Sequence, residues 1–260
     1  AARHGHQVTV YEKEAVAGGQ VRLAASVPNR AEFGDMIRNQ LTECRRLGVT
    51  IEYGIGVWPG LVEERRPDHV IVAMGAEPQR PWWVPGDATN VCDVRDVLTG
   101  EASPTGSVVI VDEIGFHHAT SVAEVLSDRG CEVEIVTPGM VVGQDLGITL
   151  DMEHWWLRAT AKGIVQTTDV VPMGLVALAP LGNEPSGPAG VALNLLHHPT
   201  GANLTRTPNW VVLAVPPNPV EWLYLELKAA GWSVERVGDC VAPRRAHAAV
   251  VEGERAGAAI

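Results

Sequence analysis

The chain has 260 residues, 46% of them apolar, enough to bury a core as one large unit or as two interleaved lobes. Its 31 acids against 20 bases leave a formal charge of -11, which excludes the basic stripe that nucleic acids demand and repels anionic membrane surfaces. Four cysteines (Cys44, Cys92, Cys131, Cys240) form no CxxC pair, so neither a disulfide framework nor a zinc site is indicated and a cytoplasmic setting is expected.

Residues 1–5 (AARHG) read as the last turn of a helix stopped by Gly5, and a segment upstream is therefore expected. The run QVTVYE at 7–12 is β-branched and aromatic and predicts a strand. A Gly-Gly turn and a mixed stretch follow. Residues 31–47 carry Phe33, Met36, Ile37 and Leu41 at helical spacing, with Gly48 as the stop. GVTIEYG is a second strand, and DHVIVAMG at 68–75 a third, apolar on both faces as in a parallel sheet.

The stretch 77–106 is rich in Pro, Gly and Trp and reads as a crossover between lobes. SVVIVD (107–112), a helix near 117–129 ended by Gly130, and CEVEIVT (131–137) make a complete βαβ unit. A helix is expected at 151–163, then short strands over 164–215 with a loose loop at 180–190, and an apolar strand at 209–215. The end reads as a strand, a Gly-Asp turn and an Ala-rich helix.

Glu12 ends the first strand. In a dinucleotide-binding βαβ, an acid at that place holds ribose hydroxyls about 20 residues after the glycine loop; counting back runs off the chain, and a solvated strand end is the plainer reading. Gly18, Gly19 and Gln20 follow where backbone must pass close to a cofactor, or simply form a turn. Gly238-Asp239 opens the last helix, where amides and the helix dipole face an anionic or polyhydroxyl ligand. Asp239 suits an N-cap as well as a hydrogen bond to a ribityl chain.

In combination, GHQVTVYEKEAVAGGQVRLAASVPNRAEF, LGVTIEYG, DHVIVAMGAEPQRP and VGDCVAPRRAHAAVVEGERAGAAI make the sequence resemble a known group. It is the carboxy-terminal half of the 2,4-dienoyl-CoA reductase and trimethylamine dehydrogenase group within the old yellow enzyme family. The resemblance implies an α/β fold of two interleaved, Rossmann-like doubly wound lobes. Residues 1–80 and 208–260 would form the FAD (or ADP) lobe, without its first strand and glycine-rich loop, and 81–207 an inserted NAD(P)-type lobe. Glu12 would hold the adenosine ribose, Gly19 and Gln20 would lie along the dinucleotide, and Arg30 near its phosphates or ribose. Val57 would meet adenine, Ala73 to Gly75 would line the nucleotide, and Gly238 and Asp239 would touch pyrophosphate and ribityl. FMN and a [4Fe-4S] cluster are implied only for an amino-terminal barrel, the partner of this module in one parent chain. An electron-transfer flavoprotein is a further implied partner, and the isolated module would be inactive.

The sequence also departs from the group. Asp112, Ile114 and His117 stand at the three glycine places of the second lobe, adding a charge and a side chain where a nicotinamide cofactor's pyrophosphate would lie. NAD(P)H binding is thereby opposed. VLAVPPNP replaces the usual Thr-Gly after the strand near the isoalloxazine end. His117 and His118 read as solvent-facing, since neighbouring helix positions point about 100° apart. Trp82-Trp83 and Trp155-Trp156 read as interface or loop anchors. The rival function is a non-redox scaffold whose first lobe holds ADP. A disulfide reductase relative is disfavoured by the missing CxxC.

Overall fold

The computed structural model describes residues 1–178 and 190–260. Of the loop expected at 180–190, only Gly190 falls among them. The chain divides into two compact units. Unit 1 comprises Ala1–Ser26, Arg30–Pro78 and Pro217–Ile260, and unit 2 comprises Val27–Asn29 and Gln79–Pro216.

Unit 1 opens with one 3-10 turn, Ala2–His4, closed by Gly5 at φ 91°. Strand β1 (Thr9–Glu12) leads through two helices, α1 (Gly19–Ser26) and α2 (Phe33–Arg46), to β2 (Thr50–Tyr53). The two strands pair in parallel from Thr9 opposite Thr50 to Glu12 opposite Tyr53. The mixed stretch after Gly18 is thus helical. Helix α3 (Pro59–Arg65) starts on a proline, whose missing N–H costs nothing at a first turn. It is followed by β3 (Val70–Val72) and β4 (Ala76–Glu77).

The stretch read as a crossover between lobes contains β5 (Val91–Asp93) and α4 (Val94–Thr99). A reciprocal cap makes so short a helix stable: Arg95 N–H donates to Asp93 Oδ1 at 2.9 Å, and Asp93 N–H to Asp96 Oδ2 at 2.9 Å. Then come β6 (Ser107–Asp112), α5 (His117–Asp128), β7 (Glu132–Val136), α6 (Met152–Ala161) and β8 (Val165–Thr167). An antiparallel meander follows, β9 (Val170–Ala177), β10 (Val191–His197) and β11 (Ala202–Arg206), before β12 (Trp210–Ala214).

Strands β5, β12, β6, β7 and β8 form one sheet in that order, and every pairing in it is parallel. The alternation along β6 divides the core. Val108 and Ile110 pack with Val122, Leu126, Ile135 and Trp155 on the helical side. Val109 and Val111 pack with Leu175, Leu193, Leu195 and Trp83 on the meander side. At the amino edge Asn209 joins β6 to β12: its Oδ1 accepts from Ser107 N–H at 2.9 Å and from Ser107 Oγ at 3.0 Å.

Unit 1 resumes with β13 (Asn218–Pro219), antiparallel to β4, then α7 (Trp222–Ala229), β14 (Val234–Arg236) and, after a 3-10 turn at Gly238–Cys240, α8 (Ala246–Ala259). Strand β14 pairs in parallel with β3. Val62, Val72, Leu223, Leu227 and Cys240 form the core beneath that pair. The architecture is the α/β, Rossmann-like doubly wound class expected from the sequence.

A buried charge ties α5 to α6. Glu124 is 4% exposed, and Arg158 Nε reaches its carboxylate at 3.1 Å while the same guanidinium holds Asp151. Removing the cation strands a desolvated carboxylate. Arg158→Met is expected to cost about 3 kcal/mol in urea denaturation. Lys162→Met, which breaks the exposed Lys162–Asp128 pair, should cost below about 1 kcal/mol.

Candidate functional site

The parallel strands of unit 1 end in the residues singled out by sequence. Strand β1 ends on Glu12, β3 runs into Ala73 and Gly75, and β14 runs into Gly238 and Asp239. Ligands in open α/β sheets lie outside the carboxyl ends of strands, because loops there face a crevice and helix amides point into it. Glu12 Oε1 accepts the Glu14 N–H at 3.0 Å, which fixes the carboxylate at the strand end. Gly75 has φ 75°, and its carbonyl accepts from Val220 N–H at 3.0 Å.

The turn between β1 and α1 needs its glycines. Gly18 lies at φ 121°, and a Cβ there would meet Ile37 Cδ1 and Arg22 Cγ. Gly19 lies at φ 46° with open space around it, so backbone is what this turn presents. Gln20, the second residue of α1, brings its Nε2 to Asp239 Oδ2 at 3.5 Å. Two candidates 219 positions apart thus meet.

Gly238 (φ 67°) is closed in by Ala249, whose Cβ lies 3.2 Å from where a side chain would start. Its N–H donates to Glu252 Oε2 at 2.8 Å. Glu252 pairs with Arg244, which with the Gly238 amide holds its carboxyl below the usual range. Arg244 N–H in turn donates to Asp239 Oδ1 at 2.9 Å. Asp239 therefore fastens the loop ahead of α8 and does not cap that helix, whose N-cap position is Arg245. Sequence reasoning missed Glu252. Its only signal is an acid on the first turns of the last helix.

Arg30, Val57 and the neighbouring Cys240 are placed by the hydrogen bonds and packing of unit 1. Arg30 begins the turn into α2, its carbonyl accepting from Phe33 N–H at 3.1 Å. Val57 precedes α3, half-buried against the Val62 and Val72 cluster, so its side chain belongs to the core. Cys240 is fully buried and its Sγ donates to Val220 O at 2.9 Å. Burial pushes that thiol up, which leaves it unreactive.

In unit 2 the altered glycine turn is well ordered. Asp112 is fully buried, and its Oδ1 accepts from Gly115 N–H at 2.8 Å and Ile114 N–H at 3.2 Å. Its Oδ2 is buried with no hydrogen-bond partner among the described residues. Burial pushes the carboxyl up to about 6, against the pull of the backbone amides. His117 is not solvent-facing as expected: its Nε2 lies 3.3 Å from Thr149 Oγ1 and its Nδ1 3.9 Å from Asp151. His118 is exposed.

An acid whose folded pKa lies above its unfolded value, about 4 for Asp, gains a proton on folding between the two. Asp112 thus makes stability fall as pH rises from about 4 to about 6 and adds no slope above that. Asp112→Asn keeps an oxygen acceptor and removes the charge. Urea midpoints across this window should lose that slope in the variant; an unchanged slope would mean that another group titrates.

No family model matches the chain. It is 31% identical over 291 residues to the N,N-dimethylglycine/sarcosine dehydrogenase of Chromohalobacter salexigens and 30% identical over 281 residues to a probable N-methylproline demethylase of Rhizobium meliloti. Each match takes in 98% of this chain and 40% of the relative, so the chain spans well under half the length of these curated relatives. Among solved structures, 6-hydroxypseudooxynicotine amine oxidase from Pseudomonas geniculata superposes with a TM-score of 0.86 at 24% identity, over 98% of this chain and 38% of that one. Lactococcus lactis thioredoxin reductase superposes at 0.65 and 20% identity, over 99% and 90% of the two chains, which shows a shared fold. None of the helices described is long and apolar enough to cross a membrane. Over nearly its whole length the chain is thus similar to one part of larger oxidoreductases, and over 62% of it to an old yellow enzyme-type alkene reductase/demethylase of Caballeronia cordobensis at 32% identity, which agrees with the resemblance read from its motifs.

Proposed function

We propose that unit 1 holds an adenine nucleotide, FAD or ADP in its place, across the carboxyl ends of β1, β3 and β14, as part of the electron path of a larger flavoprotein. One observation carries this reading: three strands, each in a parallel pair, end in a carboxylate, a small-residue turn and a Gly-Asp turn, as a dinucleotide requires. The residues fit the group chemically. Glu12 offers a fixed carboxylate to ribose hydroxyls, Gly18 and Gly19 offer bare backbone, and Gln20 and Asp239 offer a donor and an acceptor side by side. Gly75 leaves open space beside β3. Ala73 lines the same strand end, Arg30 attends phosphates or ribose, and Val57 lends its backbone to adenine.

These strand ends are carried by two parallel pairs, β2 with β1 and β3 with β14. FAD, when bound, supplies a two-electron carrier. The chain's own residues bind and orient it; Asp239, already anchored by the Arg244 amide, keeps one oxygen toward Gln20 for the ribityl chain. FMN and a [4Fe-4S] cluster belong, on this reading, to an amino-terminal barrel that also carries the substrate groups. An amine dehydrogenase-like parent would pass electrons to an electron-transfer flavoprotein, and a reductase-like parent would draw on NAD(P)H. The four free cysteines suit a cytoplasmic setting.

The test is to release the nucleotide from the parent protein and identify it. Glu12→Ala removes a contact to the adenosine half and should weaken FAD and ADP alike, about tenfold to a hundredfold. Asp239→Ala removes one that only FAD has, and should weaken FAD by a similar factor while sparing ADP. Equal loss of both nucleotides in the Asp239 variant would mean that Asp239 serves the pyrophosphate or the loop and not the ribityl chain. A parent with neither nucleotide would end the assignment.

A further inference from the structure

We infer that Asp112 is a built-in anion: its carboxylate occupies the amides of the unit 2 turn where a nucleotide phosphate would sit, and so closes that turn to dinucleotides. The inference does not depend on which nucleotide unit 1 holds.

The turn is the natural anion site of a doubly wound fold. Strand β6 ends on Asp112 and α5 begins at His117, so the N–H groups between them gather at a helix start. In the glycine-rich form of this turn those donors await a ligand. Here Gly115 and Ile114 both donate to Asp112 Oδ1, at 2.8 and 3.2 Å. Gly115 and Gly143 sit at φ 68° and 67°. A Cβ at Gly143 would come within 2.6 Å of Leu146 Cδ1 and 3.2 Å of Thr120 Cγ2, so that side of the turn is packed shut.

The pattern is replacement of a ligand, and not decay of a site. A turn that had merely lost its function would leave its amides to water. Instead the donors are satisfied by a side chain with no solvent exposure, whose second oxygen has no hydrogen-bond partner among the described residues. Native proteins leave a buried oxygen unpaired only where something offsets it. A phosphate arriving here would find its donors taken and a negative charge in its place. Ile114 adds its side chain beside that charge.

The experiment uses the parent protein as wild type, Asp112→Gly and Asp112→Asn, titrated with inorganic pyrophosphate and with NADH and NADPH. Unit 1 is the same in all three, so only differences between them count. Asp112→Gly should bind pyrophosphate at least about tenfold more tightly than wild type, and its thermal midpoint should rise with pyrophosphate or acetate at matched ionic strength. Asp112→Asn keeps an acceptor on the amides and should stay closed like wild type. If Asp112→Gly folds and gains nothing, the carboxylate is not what fills the turn. If it does not fold, the asparagine variant decides: pyrophosphate binding there above the wild-type level would mean that charge alone excluded the ligand. Saturable NADH or NADPH binding by wild type, displaced by pyrophosphate and unchanged in the glycine variant, would overturn the inference outright.

Discussion

A parallel sheet has neither face to spare for water, and this requirement organises unit 2. Its central strands β6 and β12 run as apolar stretches because α5 and α6 cover one face and the β9–β11 meander the other. Once both faces are filled, only the two edges of the sheet at its strand ends remain for anything else. The amino edge is taken by ties between strands, and the carboxyl edge is left to turns whose amides must find acceptors. Function in this fold therefore concentrates where backbone donors outnumber the bonds the sheet itself provides. Glu12, Asp112, Asp239 and Glu252 all serve such donors.

Much of this was readable in the residues. The run SVVIVD coincides with β6 to the residue, and α5 starts on the expected His117, because apolar continuity and a glycine stop leave little choice of register. The missed helices share a cause. Helix α4 has six residues and is held by a reciprocal Asp93–Asp96 cap in place of the commoner Ser or Thr with Glu. Helix α7 (WLYLELKA) is apolar nearly all round, so it shows no stripe. Helix α1 begins on glycine, a residue that reads as a turn. In α1 and α4 local propensity is weak and packing supplies the rest.

The site was legible to the extent that it is made of strand ends. Glu12, Gly75 and Gly238 are found by where their strands stop. The meeting of Gln20 with Asp239 is a matter of three dimensions, as is the closed ring of Gly238, Glu252, Arg244 and Asp239. Nothing in a sequence marks an acid 14 positions downstream as the acceptor for one glycine amide. The tryptophan pairs divide the same way. Trp83 and Trp155 are core, at 5% and 0% exposure, while Trp82 and Trp156 stand at 80% and 45%. Adjacent positions on a chain face different surroundings, and the pair alone does not say which ring goes in.

The Asn209 tie gives the sheet a fixed end. Its side-chain oxygen holds both the N–H and the hydroxyl of Ser107, Asn209 N–H answers Ser107 Oγ at 3.1 Å, and Asn90 Nδ2 reaches the Asn209 carbonyl at 2.9 Å. Alignment of β5, β12 and β6 is thereby set at the edge remote from Asp112. A sheet indexed at one end has no need of particular residues at the other to keep its strands in step. The turn after β6 can then hold an acid on its amides without cost to the alignment of the strands that carry it.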